Sequence, residues 1–242
     1  MSHQMPTDSD IRARIEAIKK KKYRFAFMYQ YLIAGRISEV AGRYGPRGNE
    51  VMETDFDGEP AVMFVVKTAK RKGRLRPVAL PLNADYEPWA QPVLDYYRKQ
   101  KGDVFRFAVK WSTSIRYMQW EAEKAFEDME WPMVEYTVKV GEEIDPETNE
   151  KKNIMEKVPP RWKSVTSHVC RKRRALTLLY DHGFDGVDLG IYGGWTLSSQ
   201  AEEMPPALKS YLHLDPSSSR ESDKLLKKMA ARYFKKLLIH SS

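Results

Sequence analysis

The chain contains a single cysteine, Cys170, among its 242 residues. One thiol cannot form a disulfide within the chain, and it gives no basis for a zinc site built on cysteine ligands. No apolar run approaches the roughly 18 residues of a membrane-spanning helix, and the N-terminal MSHQMPTDSD lacks the charged-then-apolar pattern of a leader. Internal repeats and low-complexity tails are also missing. We therefore expect a soluble, cytoplasmic protein, either nucleoid-associated or inside a host cell, with no membrane partner.

Charge, by contrast, is abundant and segregated along the chain. Lys and Arg number 41 against 33 Asp and Glu, which gives a net charge of +8. Residues 161–174 hold six cations and no acid, and residues 220–242 hold seven cations and two acids. Residues 142–150 (EEIDPETNE) hold five acids and no cation. This distribution predicts a basic face for a polyanionic partner and an acidic loop directed away from it.

The pattern of apolar residues and turn signals predicts mainly α structure with a small antiparallel β-sheet, an α+β fold in one domain. Helix is expected from residue 8 to 43, with a break near Gly35 and a second short helix from Arg36. An Asp-Gly turn at 57–58 and the segments AVMFVVK and LRPVALPL predict the sheet. An acidic β-hairpin is predicted at 133–158. Further helices are predicted at 87–101, 112–129, 168–182, 187–193, 205–213 and 222–239.

Four consecutive cations, Arg171 to Arg174, open the helix predicted at 168–182. Four adjacent positions point around a whole helical turn, so at least one of these side chains has to face inward. An inward guanidinium needs an anion. Either the protein supplies a carboxylate, or a ligand supplies a phosphate.

Four segments together carry the functional signal: AGRISEV at 34–40, VKTAKRKGRLRPVALPL at 66–82, SHVCRKRRALTLLYDHGFDGVDLGIYGGW at 167–195, and SYLHLD at 210–215. In order, spacing and predicted context the chain resembles the catalytic domain of the tyrosine recombinases, the integrase family, from roughly residue 24 to 215. The resemblance implies the catalytic-domain fold of that family. It implies a domain at 24–242 with an N-terminal helical extension at 1–23.

The first two catalytic positions that the resemblance implies lie in the N-terminal half. The family carries an Arg in a Gly-Arg-Ile-Ser-Glu turn between helices, matched by Arg36. It carries a Lys on a β-hairpin that ends in a Val-Pro-Leu-like strand, matched by Lys67 before ALPL.

The other positions follow later in the chain. A His-x-x-Arg pair opens a helix in the family, matched by His168 and Arg171. A Gly-His or Gly-Trp pair comes about two dozen residues later, matched by Gly194–Trp195. The nucleophilic Tyr comes last, and Tyr211 is the best match, although sixteen positions separate it from Trp195, longer than the usual gap.

The chemistry of phosphodiester cleavage needs these residue types. A phenol with a pKa of roughly 10 is a weak nucleophile near neutrality unless cations lower its pKa or a base takes its proton. Two guanidiniums, Arg36 and Arg171, can hold the non-bridging oxygens. Lys67 would protonate the leaving 5′ oxygen, and His168 would orient the phosphate and accept the Tyr proton. Trp195 can donate its indole N–H to the phosphate.

The implied reaction needs no metal and no cofactor, and the sequence offers no carboxylate cluster that would hold a metal. The enzyme would form a 3′-phosphotyrosyl link to double-stranded DNA and release a 5′ hydroxyl, which another strand's 5′ hydroxyl would replace. DNA contacts are expected from the remaining cations of the two basic segments: Lys70, Arg71, Lys72, Arg74, Lys172, Arg173 and Arg174.

Several alternatives remain open from the sequence. Arg36 and Glu39 are spaced as a simple i, i+3 surface pair. Lys70 or Lys72 could reach the scissile phosphate instead of Lys67, because six cations fall within residues 67–76. Tyr192 is too close to Trp195 and lies on the core side of its helix. Tyr233 belongs to the late basic helix.

The expected assembly is a homo-oligomer, a tetramer on DNA, in which the amphipathic helix 222–239 docks onto a neighbour. The family's N-terminal DNA-binding domain is expected to be missing or removed, so phosphate contacts would carry most of the affinity. The acidic hairpin at 133–158 is expected to be an insertion that faces solvent or a protein. The alternative functions are a type IB topoisomerase, which relaxes supercoils with the same chemistry, and a non-catalytic DNA-binding protein on the same fold.

Overall fold

The computed structural model describes residues 6–48, 50–56, 58–69, 74–133, 136–144, 150–159, 161–182, 184, 189 and 192–194. The helices are α1 Asp8–Glu16, α2 Lys21–Leu32, α3 Ile37–Val40, α4 Ala90–Arg98, α5 Trp111–Ala125 and α6 His168–Tyr180. The strands are β1 Val51–Phe56, β2 Glu59–Thr68, β3 Arg74–Pro81, β4 Glu130–Met133, β5 Tyr136–Ile144, β6 Lys151–Val158 and β7 Arg161–Ser164. Helices and small antiparallel sheets are mixed, as an α+β fold requires.

The helical region expected at 8–43 has the predicted break near Gly35 and the predicted short helix after Arg36, and it has a second break between Glu16 and Lys21 that was not predicted. Thr7 caps α1 through a reciprocal pair of hydrogen bonds with Asp10, a Thr-x-x-Asp capping box. The chain then leaves the helix at Ala17 and resumes at Lys21. A continuous helix through the four lysines at 19–22 would turn an ammonium toward the core, whereas the break leaves Lys19, Lys20 and Lys21 exposed. The N-terminal extension is part of the core, since Ile11 and Ile15 are fully buried.

The first sheet has the order β1–β2–β3 with antiparallel pairing throughout. The predicted Asp-Gly turn joins β1 to β2, where Gly58 has a φ of +88° and Phe56 pairs with Glu59. In the second hairpin Lys67 pairs with Leu75 and Val66 pairs with Arg76. The predicted strands AVMFVVK and LRPVALPL are confirmed, and the register fixes which residues of β3 share a face with the core.

The acidic hairpin is also confirmed, as an antiparallel pair of β5 and β6 that we call the ribbon. Its register runs from Tyr136 opposite Val158 to Ile144 opposite Lys151, with an irregularity between Lys139 and Gly141. Residues 151–157 are all exposed, so this part faces solvent as expected. A short pair, β4 with β7, flanks the ribbon and was not predicted, because four-residue strands, one of them containing a proline, leave too short a pattern to recognise.

The core contains α1, α2, α4 and α6 together with the buried face of the first sheet. An aromatic cluster joins α2 to the sheet and α4: the Tyr29 ring centroid lies 5.3 Å from that of Phe64, and the Phe64 centroid lies 5.4 Å from that of Tyr97. Phe105 lies 5.4 Å from Tyr29. Ring pairs at these distances add packing energy beyond the area that they bury. The fold therefore holds the end of α2 firmly against β2.

Shortening the ribbon is expected to leave the core intact. Replacing residues 140–154 with Asn-Gly would join Lys139 to Met155, which face each other across the register, through a two-residue turn. The free energy of unfolding measured in urea should change by less than about 1 kcal/mol, because exposed strands contribute little. Phe64→Ala, in the aromatic cluster, should cost about 3–5 kcal/mol in the same assay. If the two variants lost the same free energy of unfolding, the ribbon would contribute to the core as much as the aromatic cluster does, which would contradict this expectation.

Candidate functional site

Two of the four cations that open α6 face inward. Arg171 is 1% exposed and Arg174 is 0% exposed, while Lys172 and Arg173 are partly exposed. Residues three apart lie on one face of a helix, so both guanidiniums enter the protein from the same side of α6. The prediction that at least one of the four cations faces inward is confirmed, and the inward ones are Arg171 and Arg174. The structure supplies a protein carboxylate for each of the two.

Arg174 is paired with Glu87, at 2.7 Å from Nη1 to Oε2, and its guanidinium carbon lies 5.4 Å from the ring centroid of Tyr31. Arg12 of α1 also reaches Glu87, at 3.1 Å, and holds Asp8 at 2.8 Å. The prediction that Arg174 contacts DNA is therefore wrong, because this side chain is enclosed in an ion-pair network between α1, α6 and the residue that precedes α4 by three positions. No local pattern joins Arg174 to Glu87.

Arg171 reaches the C-terminal end of α2. Its Nη1 donates to the carbonyl oxygen of Ala34, and its Nη2 donates to that of Gly193 at 2.9 Å. Arg76 of β3 donates to the carbonyl of Ile33 at 2.8 Å and to that of Tyr192. The last carbonyls of a helix lack partners within the helix and carry its negative dipole end, so two buried cations are well placed there.

Glu39 of α3 lies among three guanidiniums, and we call these four residues the arginine–glutamate cluster. Its carboxylate oxygens lie 2.9 Å from Arg36, 3.6 Å from Arg76 and 4.0 Å from Arg171. The backbone amides of Arg36 and Ala69 also donate to it, at 3.0 and 3.1 Å. Three positive charges and one negative charge leave the cluster with a net charge of +2.

The environment of the Glu39 carboxylate favours its charged form. Burial would raise its pKa, but Arg76, the two backbone amides and Arg171 together lower the pKa below the ordinary value. The Glu39 side chain is 0% exposed. The alternative of a simple surface pair between Arg36 and Glu39 is thus not what the structure has, since the carboxylate is buried and shared.

His168 lies beside the cluster at the start of α6 and remains exposed. Burial lowers the pKa of His168, and the charges of Arg171, Lys172 and Arg36 lower it further, with Glu39 opposing them. A histidine with a lowered pKa is neutral at neutral pH and has a ring nitrogen that can accept a proton. The His-x-x-Arg spacing places His168 one helical turn before Arg171 on α6, where the charges of Arg171, Arg36 and Glu39 all act on its ring.

Lys67 is less directly connected to the cluster. Its ammonium forms an ion pair with Glu50, a partner that the sequence did not indicate. The strand itself reaches the cluster, since Ala69, two residues on, donates its amide to Glu39. Lys70, Arg71 and Lys72 lie outside the described residues, as does the side chain of Arg74.

Residues 192–194 pass over the cluster. Gly194 has a φ of +62°, and a Cβ there would lie 2.9 Å from Cδ of Arg76 and 3.0 Å from Cγ2 of Thr68, so only glycine fits without a shift. Tyr192 is buried and its hydroxyl donates to the carbonyl of Leu32, which confirms its expected core position. Trp195 and Tyr211 lie outside the described residues, as do Tyr233 and the helices expected at 205–213 and 222–239.

Arg76 and Glu39 are the members of the cluster that the sequence analysis missed as site residues. A signal for Arg76 existed: Arg76, Val78 and Leu80 occupy alternate positions of β3, so Arg76 shares a face of the strand with two apolar side chains. Cys170 is buried without a disulfide, as expected. Within the described part of the chain, no group of three or more His, Cys, Asp or Glu residues could hold a metal ion.

Comparisons with known proteins add no family assignment. The chain matches no protein-family model, no curated protein and no solved structure. Among the residues that the structure describes, no helix is both long enough and apolar enough to cross a membrane.

Glu39→Gln should destabilise the fold by about 3–5 kcal/mol, because it leaves buried guanidiniums without their carboxylate while keeping the shape of the side chain. The pKa of Glu39 is lowered by folding, so its contribution is present above the unfolded pKa of about 4.3 and is lost as pH falls through the folded value. The difference in unfolding free energy between wild type and variant should therefore be largest near neutral pH and narrow as pH falls below the unfolded pKa of about 4.3.

The control for that experiment is Glu59→Gln, which removes the same charge from an exposed position at the start of β2. Its free energy of unfolding should stay within about 0.5 kcal/mol of wild type at every pH. A loss at Glu39 no larger than at Glu59 would show that the carboxylate does not hold the cluster together.

Proposed function

We propose that the chain is a site-specific DNA recombinase or integrase, a tyrosine-type strand transferase on the catalytic-domain fold of that family. The observation that carries the proposal is the common position of Arg36, His168 and Arg171, which come from distant parts of the chain and meet around Glu39. These are the residues that such an enzyme needs at one phosphate.

The charge of the site fits a phosphodiester. The arginine–glutamate cluster carries a net charge of +2, and a phosphodiester carries one negative charge. Arg36, whose side chain is 20% exposed, is the guanidinium that a ligand reaches from solvent, and Arg171 lies behind it at 2%. Preorganised cations in a site shielded from water stabilise developing charge more strongly than the same cations in bulk solvent. Glu39 would hold both guanidiniums in orientation before DNA arrives.

The proposed cleavage is a direct transfer of the phosphate from the 5′ oxygen to a tyrosine. The phenol oxygen of Tyr211 attacks phosphorus, the bond from phosphorus to the 5′ oxygen breaks, and a 3′-phosphotyrosyl link forms. The phenol proton goes to His168, which is neutral at the outset because its pKa is lowered. Lys67 gives a proton to the departing 5′ oxygen. The 5′ hydroxyl of another strand reverses each transfer and rejoins the backbone.

One rearrangement is required of Lys67. Its ammonium is paired with Glu50, so it has to leave that carboxylate to reach the 5′ oxygen. A phosphate bound at Arg36 would supply a competing negative charge for the ammonium. Assembly of protomers on DNA would supply the second strand. The acidic ribbon faces solvent and would stay off the duplex, because its carboxylates repel phosphate.

The nucleophile is tested by covalent capture. Tyr211→Phe should abolish protein–DNA adducts on a nicked suicide substrate while duplex binding persists, because the phenol oxygen is the atom that bonds to phosphorus. Tyr233→Phe is the matched control and should retain adducts. Mass spectrometry of the peptide left on DNA should identify Tyr211. Adducts that survive in Tyr211→Phe would place the nucleophile elsewhere, and duplex binding without adducts in the wild type would favour a non-catalytic DNA-binding protein.

The general acid is tested by changing the leaving group. Lys67→Ala should slow cleavage of ordinary DNA by about 10²–10⁴. The same variant should cleave at nearly the wild-type rate when the 5′ oxygen is replaced by sulfur, because a thiolate leaves without a proton. Lys70→Ala and Lys72→Ala are the controls and should show no such rescue. If the sulfur substrate rescued Lys70→Ala or Lys72→Ala instead, that lysine would be the general acid.

A further inference from the structure

A groove of about 130 Å³ adjoins His168, between the β4–β7 pair and the start of α6. The groove is lined by Trp131 of β4, Lys163 of β7, and His168 and Lys172 of α6. Thr166, which lies between β7 and α6 in the chain, also lines it. The groove has room for several water molecules, which suits a compact polar group. His168 is thus a wall both of the candidate active site and of this groove.

Trp131 brings the two lysines of the groove together. Trp131 and Lys163 are directly opposite each other in the β4–β7 register. The ammonium of Lys172 lies 5.5 Å from the centroid of the Trp131 ring, a cation–π distance. Both lysines therefore adjoin the same aromatic side chain. Trp131 is only 9% exposed, so its neighbours hold it in a fixed position.

The groove is electrostatically suited to an anion. None of the described residues that line it is acidic, and three of them are Lys or His. Burial lowers the pKa of Lys172, and the nearby charge of Lys163 lowers it further, which means that the two ammonium groups repel each other. An anion between them would relieve that repulsion. Exposed lysines alone are as typical of a solvated surface as of a binding site. Two lysines that adjoin one tryptophan beside His168 indicate a binding site.

We propose that Lys163 and Lys172 bind the backbone phosphate next to the scissile one, on the same DNA strand, in the groove that adjoins His168. The inference rests on the proposed function, because only a strand held at Arg36, with Arg171 behind it, brings its neighbouring phosphate to this position. Successive phosphates of one strand would then lie on the two sides of His168. The base of the acidic insertion contributes to DNA binding, while its ribbon does not.

The salt dependence of binding to a short duplex of random sequence measures this contact in the full chain. The double variant K163Q/K172Q should reduce the slope of log K against log salt concentration by about 0.9, one phosphate's share, with weaker binding to all sequences alike. K163R/K172R should restore the slope, since it restores both charges. K151Q/K152Q, which removes two exposed charges from β6, should leave the slope at the wild-type value.

The outcomes separate the inference from the proposed function. An unchanged slope in K163Q/K172Q, with normal duplex binding, overturns the inference and leaves the proposed function standing. An equal fall in K151Q/K152Q also overturns it, because the effect would then belong to overall charge. Failure of the wild type to bind any duplex contradicts the proposed function, and the inference falls with it.

A neutral methylphosphonate placed next to the scissile phosphate tests the position itself. It should slow adduct formation by the wild type and have no further effect on K163Q/K172Q, because the contact is already lost. If the methylphosphonate slows the wild type and the double variant by the same factor, the lysines do not bind the adjacent phosphate and the inference is wrong.

Discussion

The buried carboxylate of Glu39 is the interaction on which the site depends. Glu39 lies in α3 and binds the guanidiniums of Arg36, just before α3, and of β3 and α6, while the amide of Ala69 connects it to the end of β2. Arg76 and Arg171, which contact this carboxylate, also donate hydrogen bonds to backbone carbonyls at the end of α2. The Arg36 contact is local, but those of Arg76, Arg171 and Ala69 are long-range, so the full cluster exists only when the helices and the first sheet have docked on one another.

Two buried ion networks share α6, and their charge balance differs. Arg12 and Arg174 face Asp8 and Glu87, two positive charges against two negative charges, and this network is neutral. The arginine–glutamate cluster has three against one. Burying an ion costs several kcal/mol unless partners compensate its charge. A network that served only stability would therefore be expected to be neutral. An excess of +2 beside an exposed His168 is the arrangement expected of a site that receives an anion.

The sequence was sufficient for features that are local. The Asp-Gly turn and its strands, the acidic hairpin and the helix that begins at His168 were predicted, and the structure has them. A row of four cations also required that at least one face inward, but it could not say which, because that depends on where distant carboxylates lie. Arg174 was misassigned to DNA for that reason. The β4–β7 pair escaped prediction because its strands are short. The break between Glu16 and Lys21 escaped prediction because the cost of turning one of the four lysines toward the core in a continuous helix was not weighed.

His168 links the electrostatics of the cluster to the chemistry proposed for it. Positive neighbours and burial lower its pKa, so the ring is neutral, which a proton acceptor has to be. A phosphodiester bound at Arg36 would place a negative charge near the ring, and a nearby opposite charge raises a histidine pKa. The ring would then become a stronger base when substrate is present, closer to the optimum at which the acceptor's pKa matches the working pH. In the proposed enzyme, the same cations would both attract the phosphate and keep the ring of His168 neutral until the phosphate binds.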